Sequence, residues 1–378
     1  MNLKHSSFEP GEFSEAFAKQ NFSEVRELIY SKNKNDVERA LAKKKRDLSD
    51  FMALISPAAA PYLEQMAQEA QSLTQKRFGK TIQLYIPLYL SNECLSSCTY
   101  CGFRKENEIP RVRLTKEEVL KEVEILKSWG YESVLLVTGD MNKKAGRDYL
   151  LEAISWIRPY FAQISAEVQP MDQADYELLR AAGLNGVMIY QETYGPNYKE
   201  FHYKGSKSNF NYRLQTPDRL GKAGIHKIGL GCLLGIEDWR ADSWMVAFHL
   251  EFLKKTYWRT KFSISFPRLR PAEGVLEPGH PVNDKELAQL ICAYRLLDEN
   301  LELSLSTRES SEFRDHAIHF GITSLSAGSK TDPGGYASEK ENLEQFSIDD
   351  DRSAFAVASK LKSQGLEAVF KDWEKSFG

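Results

Sequence analysis

Apolar residues recur at three- and four-residue spacing among many polar ones in the first 80 positions, predicting helices near 12–19, 22–30, 35–45 and 48–55. A longer helix opens at Pro61, carries Leu63, Met66, Ala67, Ala70 and Leu73 on one face, and stops before Gly79. From Ile82 the rhythm changes to short apolar runs separated by longer amphipathic stretches. The runs are 82–90, 133–138, 163–168, 186–190, 226–234, 262–266, 301–305 and 322–326. Between the first two, Thr115-Lys-Glu-Glu118 is a capping box that opens a helix with Val119, Leu120, Val123 and Leu126 on one face, closed by Gly130. Further helices are predicted over 147–158, 172–182, 238–256, 284–298 and 309–319, with a short one opened by Thr216-Pro217.

Strands separated by helices must run parallel, since the return path is the helix. Eight such units predict an α/β fold, a closed (β/α)8 barrel of TIM type, with its chemistry at the C-terminal ends of the strands. The chain divides accordingly into a helical N-terminal extension over 1–80, the barrel over 81–329 and a C-terminal extension over 330–378. That extension runs through Lys330-Thr-Asp-Pro-Gly-Gly-Tyr336 and an acidic stretch to Asp349-Asp-Asp351, then a helix over 352–363 and the segment Ala368-Val-Phe-Lys-Asp-Trp373. It is expected to pack over one end of the barrel.

Composition narrows the partners. Of 378 residues, 42% are hydrophobic and 27% charged, with net charge -3, so no basic excess marks a nucleic-acid or anionic-membrane surface. The run Lys43-Lys-Lys-Arg46 reads as a solvated helix face. No apolar run reaches the ~20 residues that span a bilayer, and no basic-then-apolar leader opens the chain, which makes the cytoplasm the expected location. Five cysteines, three of them clustered, fit a reducing compartment and ligation better than a disulfide framework.

The cluster is Cys94-Leu-Ser-Ser-Cys98-Thr-Tyr-Cys101, directly after the first strand. A thiolate trio suits iron-sulfur or zinc. Structural zinc takes four protein ligands, usually as two pairs, and neither Cys232, Cys292 nor the seven histidines supply a second pair. Three ligands imply an open coordination position. The polar residues that follow the strands then read as one mouth: Thr138, Gly139 and Asp140; Glu167 and Gln169; Gln191 and Glu192. Arg213 has the planar fork that grips a carboxylate, and Gly229, Gly231 and Gly235 leave room for a flat ring. Arg268, Arg270 and Arg308, after the sixth and seventh strands, suggest a second carboxylate, as an amino-acid substrate would supply.

The cysteine spacing is the signature of radical S-adenosylmethionine (SAM) enzymes. Ser56-Pro-Ala-Ala, Tyr85-Ile-Pro-Leu-Tyr-Leu-Ser-Asn92, Glu167-Val-Gln-Pro170, Tyr190-Gln-Glu-Thr-Tyr194, Ser265-Phe-Pro-Arg-Leu-Arg-Pro271 and Leu305-Ser-Thr-Arg-Glu309 together resemble the tyrosine lyases of thiamine biosynthesis, the 2-iminoacetate synthase family. The resemblance implies that Cys94, Cys98 and Cys101 hold a [4Fe-4S] cluster whose open iron is chelated by SAM. It places Thr138, Gly139 and Asp140 at the methionine amino group, with Asp140 where relatives commonly have Glu. Arg213 falls at the SAM carboxylate, Gln191 and Glu192 near the ribose, and Tyr100, Phe103 and Glu167 among the other cofactor contacts. Tyr89, Arg308 and Ser326 fall in the substrate pocket, Arg308 as carboxylate clamp.

The implied reaction cleaves L-tyrosine between Cα and Cβ to 2-iminoacetate and p-cresol, with thiazole synthase and a flavodoxin- or ferredoxin-type electron donor as partners. The related hydrogenase-maturation lyase carries a second cluster on later cysteines, and here none follows Cys292. Two alternatives remain: a lyase of the same barrel acting on tryptophan, and a non-catalytic iron-sulfur or zinc scaffold.

Overall fold

Eight parallel strands close on themselves: β1 (Thr81–Ser91), β2 (Ser133–Thr138), β3 (Gln163–Glu167), β4 (Gly186–Met188), β5 (Lys227–Leu230), β6 (Lys261–Ser265), β7 (Glu302–Leu305) and β8 (Ser324–Ser326) pair in sequence order, and β1 joins both β2 and β8. This computed structural model describes residues 12–271, 279–338 and 344–371. The predicted (β/α)8 architecture is the one found. The apolar run predicted at β4 is longer than the strand, although Ile189 and Gln191 still donate to the carbonyls of Gly229 and Gly231 across the seam with β5. The chain then bends at Glu192, whose φ is 73°.

A ninth strand was not anticipated. β9 (Glu367–Val369) runs parallel to Thr81–Gln83 at the start of β1, below the point where β1 takes up its pairing with β2 at Ile86. Glu132, just ahead of β2, donates to the carbonyl of Phe370. The tail therefore fills the bottom of the β1–β2 seam, while its earlier residues 344–350 lie across the opposite end. The expectation of a tail packed over one end was too simple, and Trp373 lies outside the described residues.

The N-terminal helices pack onto two barrel helices. Phe13 stacks on His249 of helix Trp239–Thr256 at 3.6 Å between ring centroids, and Trp244 Nε1 donates to Leu48 O. Gln289 of helix Asp284–Leu297 donates to the carbonyls of Leu54 and Ser56, each at 2.8 Å. These contacts explain why Trp239–Thr256 is buried on most of its circumference: it is covered on two sides rather than one.

Inside, the barrel departs from the usual filling of branched aliphatics. Side chains alternate along each strand, and the lower bore is lined mostly by polar residues, among them Gln83, Ser133, Gln163, Ser165, Lys227 and Ser263, with Leu135 and Met188 as apolar exceptions. These small and polar residues leave the bore open beneath the mouth.

Candidate active site

A cavity of about 180 Å³ opens at the C-terminal ends of the strands. Tyr89, Cys94, Cys98, Tyr100, Cys101, Phe103, Thr138, Gly139, Asp140, Glu167, Glu192, Arg213, Arg308 and Ser326 all line it. Gln191 does not. Strand alternation turns Tyr190 and Glu192 to the bore, and Gln191 is buried with its Nε2 unpartnered among the described residues.

The cysteine loop is shaped by a residue with no obvious sequence signal. Arg111 donates to the carbonyls of Asn92, Phe103, Arg104 and Asn107 at 2.7–3.1 Å, and so ties both ends of the loop to one guanidinium. From the other side the backbone flanking Cys98 pairs with that flanking His202, Ser97 N donating to Lys204 O and Thr99 N to Phe201 O, and Tyr100 Oη lies 2.7 Å from His202 Nε2. Burial holds His202 down to about 3, so it is neutral. At Gly139 a Cβ would run into the backbone oxygen of Glu93, so this glycine lets β2 approach the loop.

All five cysteines are free thiols. Among the described residues no three His, Cys, Asp or Glu side chains converge tightly enough for a single metal ion. The three clustered sulfurs nonetheless share one cavity, and a separated all-thiol trio suits a multi-iron cluster better than one ion. Burial pushes Cys94 and Cys98 up, to about 11 and about 12, which a bound cationic centre would reverse. The buried Thr138 hydroxyl has no partner among the described residues, as expected of a wall awaiting a polar ligand.

On the β4 side, Lys207 was missed by the sequence reading because it sits in a loop far from any strand end. Its Nζ lies 2.6 Å from Glu192 Oε1, and Arg213 Nη2 lies 3.4 Å from the same oxygen. Burial opposes both charges of the Glu192–Lys207 pair, yet Glu192 is held below and Lys207 above its usual range by the other. Arg213 also donates to Tyr190 O at 2.7 Å. Asp140 accepts from Ser96 Oγ at 2.6 Å and from Ser206 Oγ, so its carboxylate pins the cysteine loop to the Lys207 loop.

On the opposite side Arg308 faces the cavity. Among the described residues its side chain makes one hydrogen bond, a long one to Arg268 O at 3.4 Å, and its Cζ lies 3.3 Å from the Phe346 ring centroid. Arg268 and Arg270 were expected to share the carboxylate-binding work, but Arg268 is bound by Glu309 and Asp284, and Arg270 by Asp349. Tyr89 Oη donates to Gln345 Oε1 at 2.7 Å, and Ser326 Oγ accepts from Thr307 N at 3.2 Å. Glu167 lies between the two sides, and burial raises it to about 7 against the pull of Arg308. The space expected above Gly229 and Gly231 belongs to the chain itself: a Cβ there would meet Met188 and, at 3.0 Å, the Tyr190 ring.

Residues 88–244 match the Radical SAM superfamily, and residues 265–367 match the Biotin and Thiamin Synthesis associated domain. The chain is 49% identical over 368 residues to 2-iminoacetate synthase of Escherichia coli (strain K12), covering 97% of this chain and 98% of that one. Identity and coverage are the same for the 2-iminoacetate synthase of Salmonella typhimurium. Among solved structures, the FeFe-hydrogenase maturase HydG from Carboxydothermus hydrogenoformans superposes with a TM-score of 0.88 at 30% identity, over 96% of this chain and 86% of that one. With its three thiols at the barrel mouth and full-length similarity to these enzymes, the chain belongs to the 2-iminoacetate synthase family of radical SAM enzymes, which bind SAM and an iron-sulfur cluster.

Proposed function

We propose that this enzyme cleaves the Cα–Cβ bond of L-tyrosine, giving 2-iminoacetate and p-cresol, with one SAM converted to methionine and 5′-deoxyadenosine per turnover. The observation that carries this reading is the division of one cavity into a thiol-and-acid side and an Arg308 side. Cys94, Cys98 and Cys101 would hold a [4Fe-4S] cluster with one iron left for SAM. When bound, cluster and SAM supply the radical that removes a hydrogen from the substrate.

The chain's own residues bind, orient and exclude water. Arg308, which lines the cavity and makes no salt bridge among the described residues, presents its fork to the substrate carboxylate. Phe346 stacks on a face of that guanidinium and leaves its in-plane N–H groups for the carboxylate. Tyr89 and Ser326 put hydroxyls on the same wall. Arg213 and Lys207 supply the positive charge for the SAM carboxylate, with Glu192 and Glu167 left to ribose hydroxyls or an ammonium. Asp140, engaged by two serines, serves the amino group through loop placement and the neighbouring carbonyls. Positioning of this kind is most of what a protein adds to a cofactor that carries the hard chemistry.

The product imine hydrolyses readily, which favours transfer to thiazole synthase, and the electron would come from a flavodoxin- or ferredoxin-type donor. No helix among the described residues is long and apolar enough to cross a membrane. Product analysis with tyrosine and tryptophan in parallel tests the substrate: tyrosine should give p-cresol, and tryptophan should give no indole-derived product.

A further inference from the structure

Gln345, in the C-terminal extension, touches both halves of the cavity. Its Oε1 accepts from Tyr89 Oη at 2.7 Å, and its Nε2 donates to Cys101 Sγ at 3.8 Å. We propose that Gln345 is a positioning residue that couples the substrate wall to a cluster ligand, so that an occupied pocket alters the cluster's ease of reduction. The inference builds on the tyrosine-lyase reading above.

The amide is held on a fixed arm. Gly102 N donates to Gln345 O at 3.0 Å, and Gln345 N donates to Thr331 O at 3.1 Å. A Cβ on Gly102 would lie 2.5 Å from Glu344 O, so the arm reaches the cysteine loop only because residue 102 has no side chain. Beyond Gln345, Thr331 Oγ1 donates to Phe346 O at 3.1 Å, and Asp350 is buried against Arg314. These bonds fix the backbone that carries the side chain, and the amide itself is held at its two ends by Tyr89 and Cys101.

Its orientation follows from donor chemistry. A ligand sulfur is an acceptor, so the N–H must face Cys101 and the carbonyl oxygen must face the tyrosine hydroxyl. An N–H donated to a ligand sulfur stabilises the more negative, reduced state of an iron-sulfur cluster and raises its potential. At the other end, Tyr89 gives its proton to Gln345 and keeps its oxygen as an acceptor on the cavity wall. A substrate N–H donated to that oxygen would polarise the chain from Tyr89 through the amide to Cys101.

The test is potentiometry followed by electron paramagnetic resonance on cluster-loaded protein, with and without tyrosine. Gln345→Leu should shift the midpoint to more negative potential, abolish its response to tyrosine, and lower p-cresol formed per 5′-deoxyadenosine about tenfold. Tyr89→Phe removes the donor that polarises the amide, so it should move the substrate-free midpoint in the same direction as Gln345→Leu but by less, and should lose the response to tyrosine. Gln345→Glu retains an acceptor for Tyr89 but no N–H for sulfur, so its midpoint should fall as in the leucine variant; it decides the matter if Gln345→Leu does not load. A wild-type midpoint and tyrosine response in Gln345→Leu or Gln345→Glu would overturn the proposal. If wild type makes no p-cresol, the substrate reading fails, while the substrate-free midpoints still decide the bond to Cys101.

Discussion

Lys207 Nζ lies 2.6 Å from Glu192 Oε1, and Glu192 is the one non-glycine residue with positive φ among those described. A left-handed glutamate costs about 1–2 kcal/mol and persists only where its surroundings over-determine it. Here a lysine and an arginine converge on the same carboxylate oxygen beside the cysteine loop. The strain is stored where the cofactor would bind.

Lys207→Met should therefore reach beyond one contact. It leaves Glu192 buried with only Arg213, and should destabilise the chain by about 3 kcal/mol, read from urea unfolding under anaerobic conditions. SAM affinity should fall in the same variant, measured by equilibrium dialysis on cluster-loaded protein.

Glu167 should leave a pH signature in the cofactor-free protein. Burial raises its folded value to about 7, above the unfolded carboxylate range, so the folded state binds the extra proton between those limits. Its contribution is fully present below the unfolded value and is lost as pH rises toward 7, up to about 3 kcal/mol by linkage. Urea midpoints of wild type should decline over this window relative to those of Glu167→Gln, and parallel profiles for the two proteins would contradict the assignment.

Arg308→Lys keeps the charge but loses the fork and its stacking on Phe346. Tyrosine KM should rise by roughly thirtyfold, equivalent to about 2 kcal/mol of lost charge-assisted hydrogen bonding. Reductive SAM cleavage without substrate should be little changed, since Arg308 stands on the wall opposite the Arg213 and Lys207 side.

Arg111→Met removes the donor to four loop carbonyls. Iron bound per chain after reconstitution should drop while the far-ultraviolet circular dichroism stays native, because the barrel does not depend on this loop. Unchanged iron content would mean that the loop holds its shape without the guanidinium.

What was legible in the sequence was whatever repeats or clusters along it. Strand periodicity marked all eight barrel strands, and the x3-x2 cysteine spacing marked the site, because both are local patterns. Alternation alone would also have separated Glu192 from Gln191 had it been carried past the strand end. Lys207, Gln345 and Arg111 were not legible: each sits in an irregular segment, and its place at the site is set by tertiary contacts. β9 was missed for a related reason, since Glu367–Val369 is a three-residue strand that pairs, among the described residues, with the start of β1. Arg268 and Arg270 were over-read, because sequence shows an arginine near a mouth but not the Glu309 and Asp349 that engage them.

The most direct test of the central claim is anaerobic incubation of cluster-reconstituted protein with dithionite, SAM and tyrosine, followed by chromatography for p-cresol and 5′-deoxyadenosine. Both products should appear with tyrosine, and both should vanish in Cys98→Ala. Formation of 5′-deoxyadenosine without p-cresol would contradict the tyrosine assignment, and absence of both in cluster-loaded wild-type protein would contradict the lyase reading altogether.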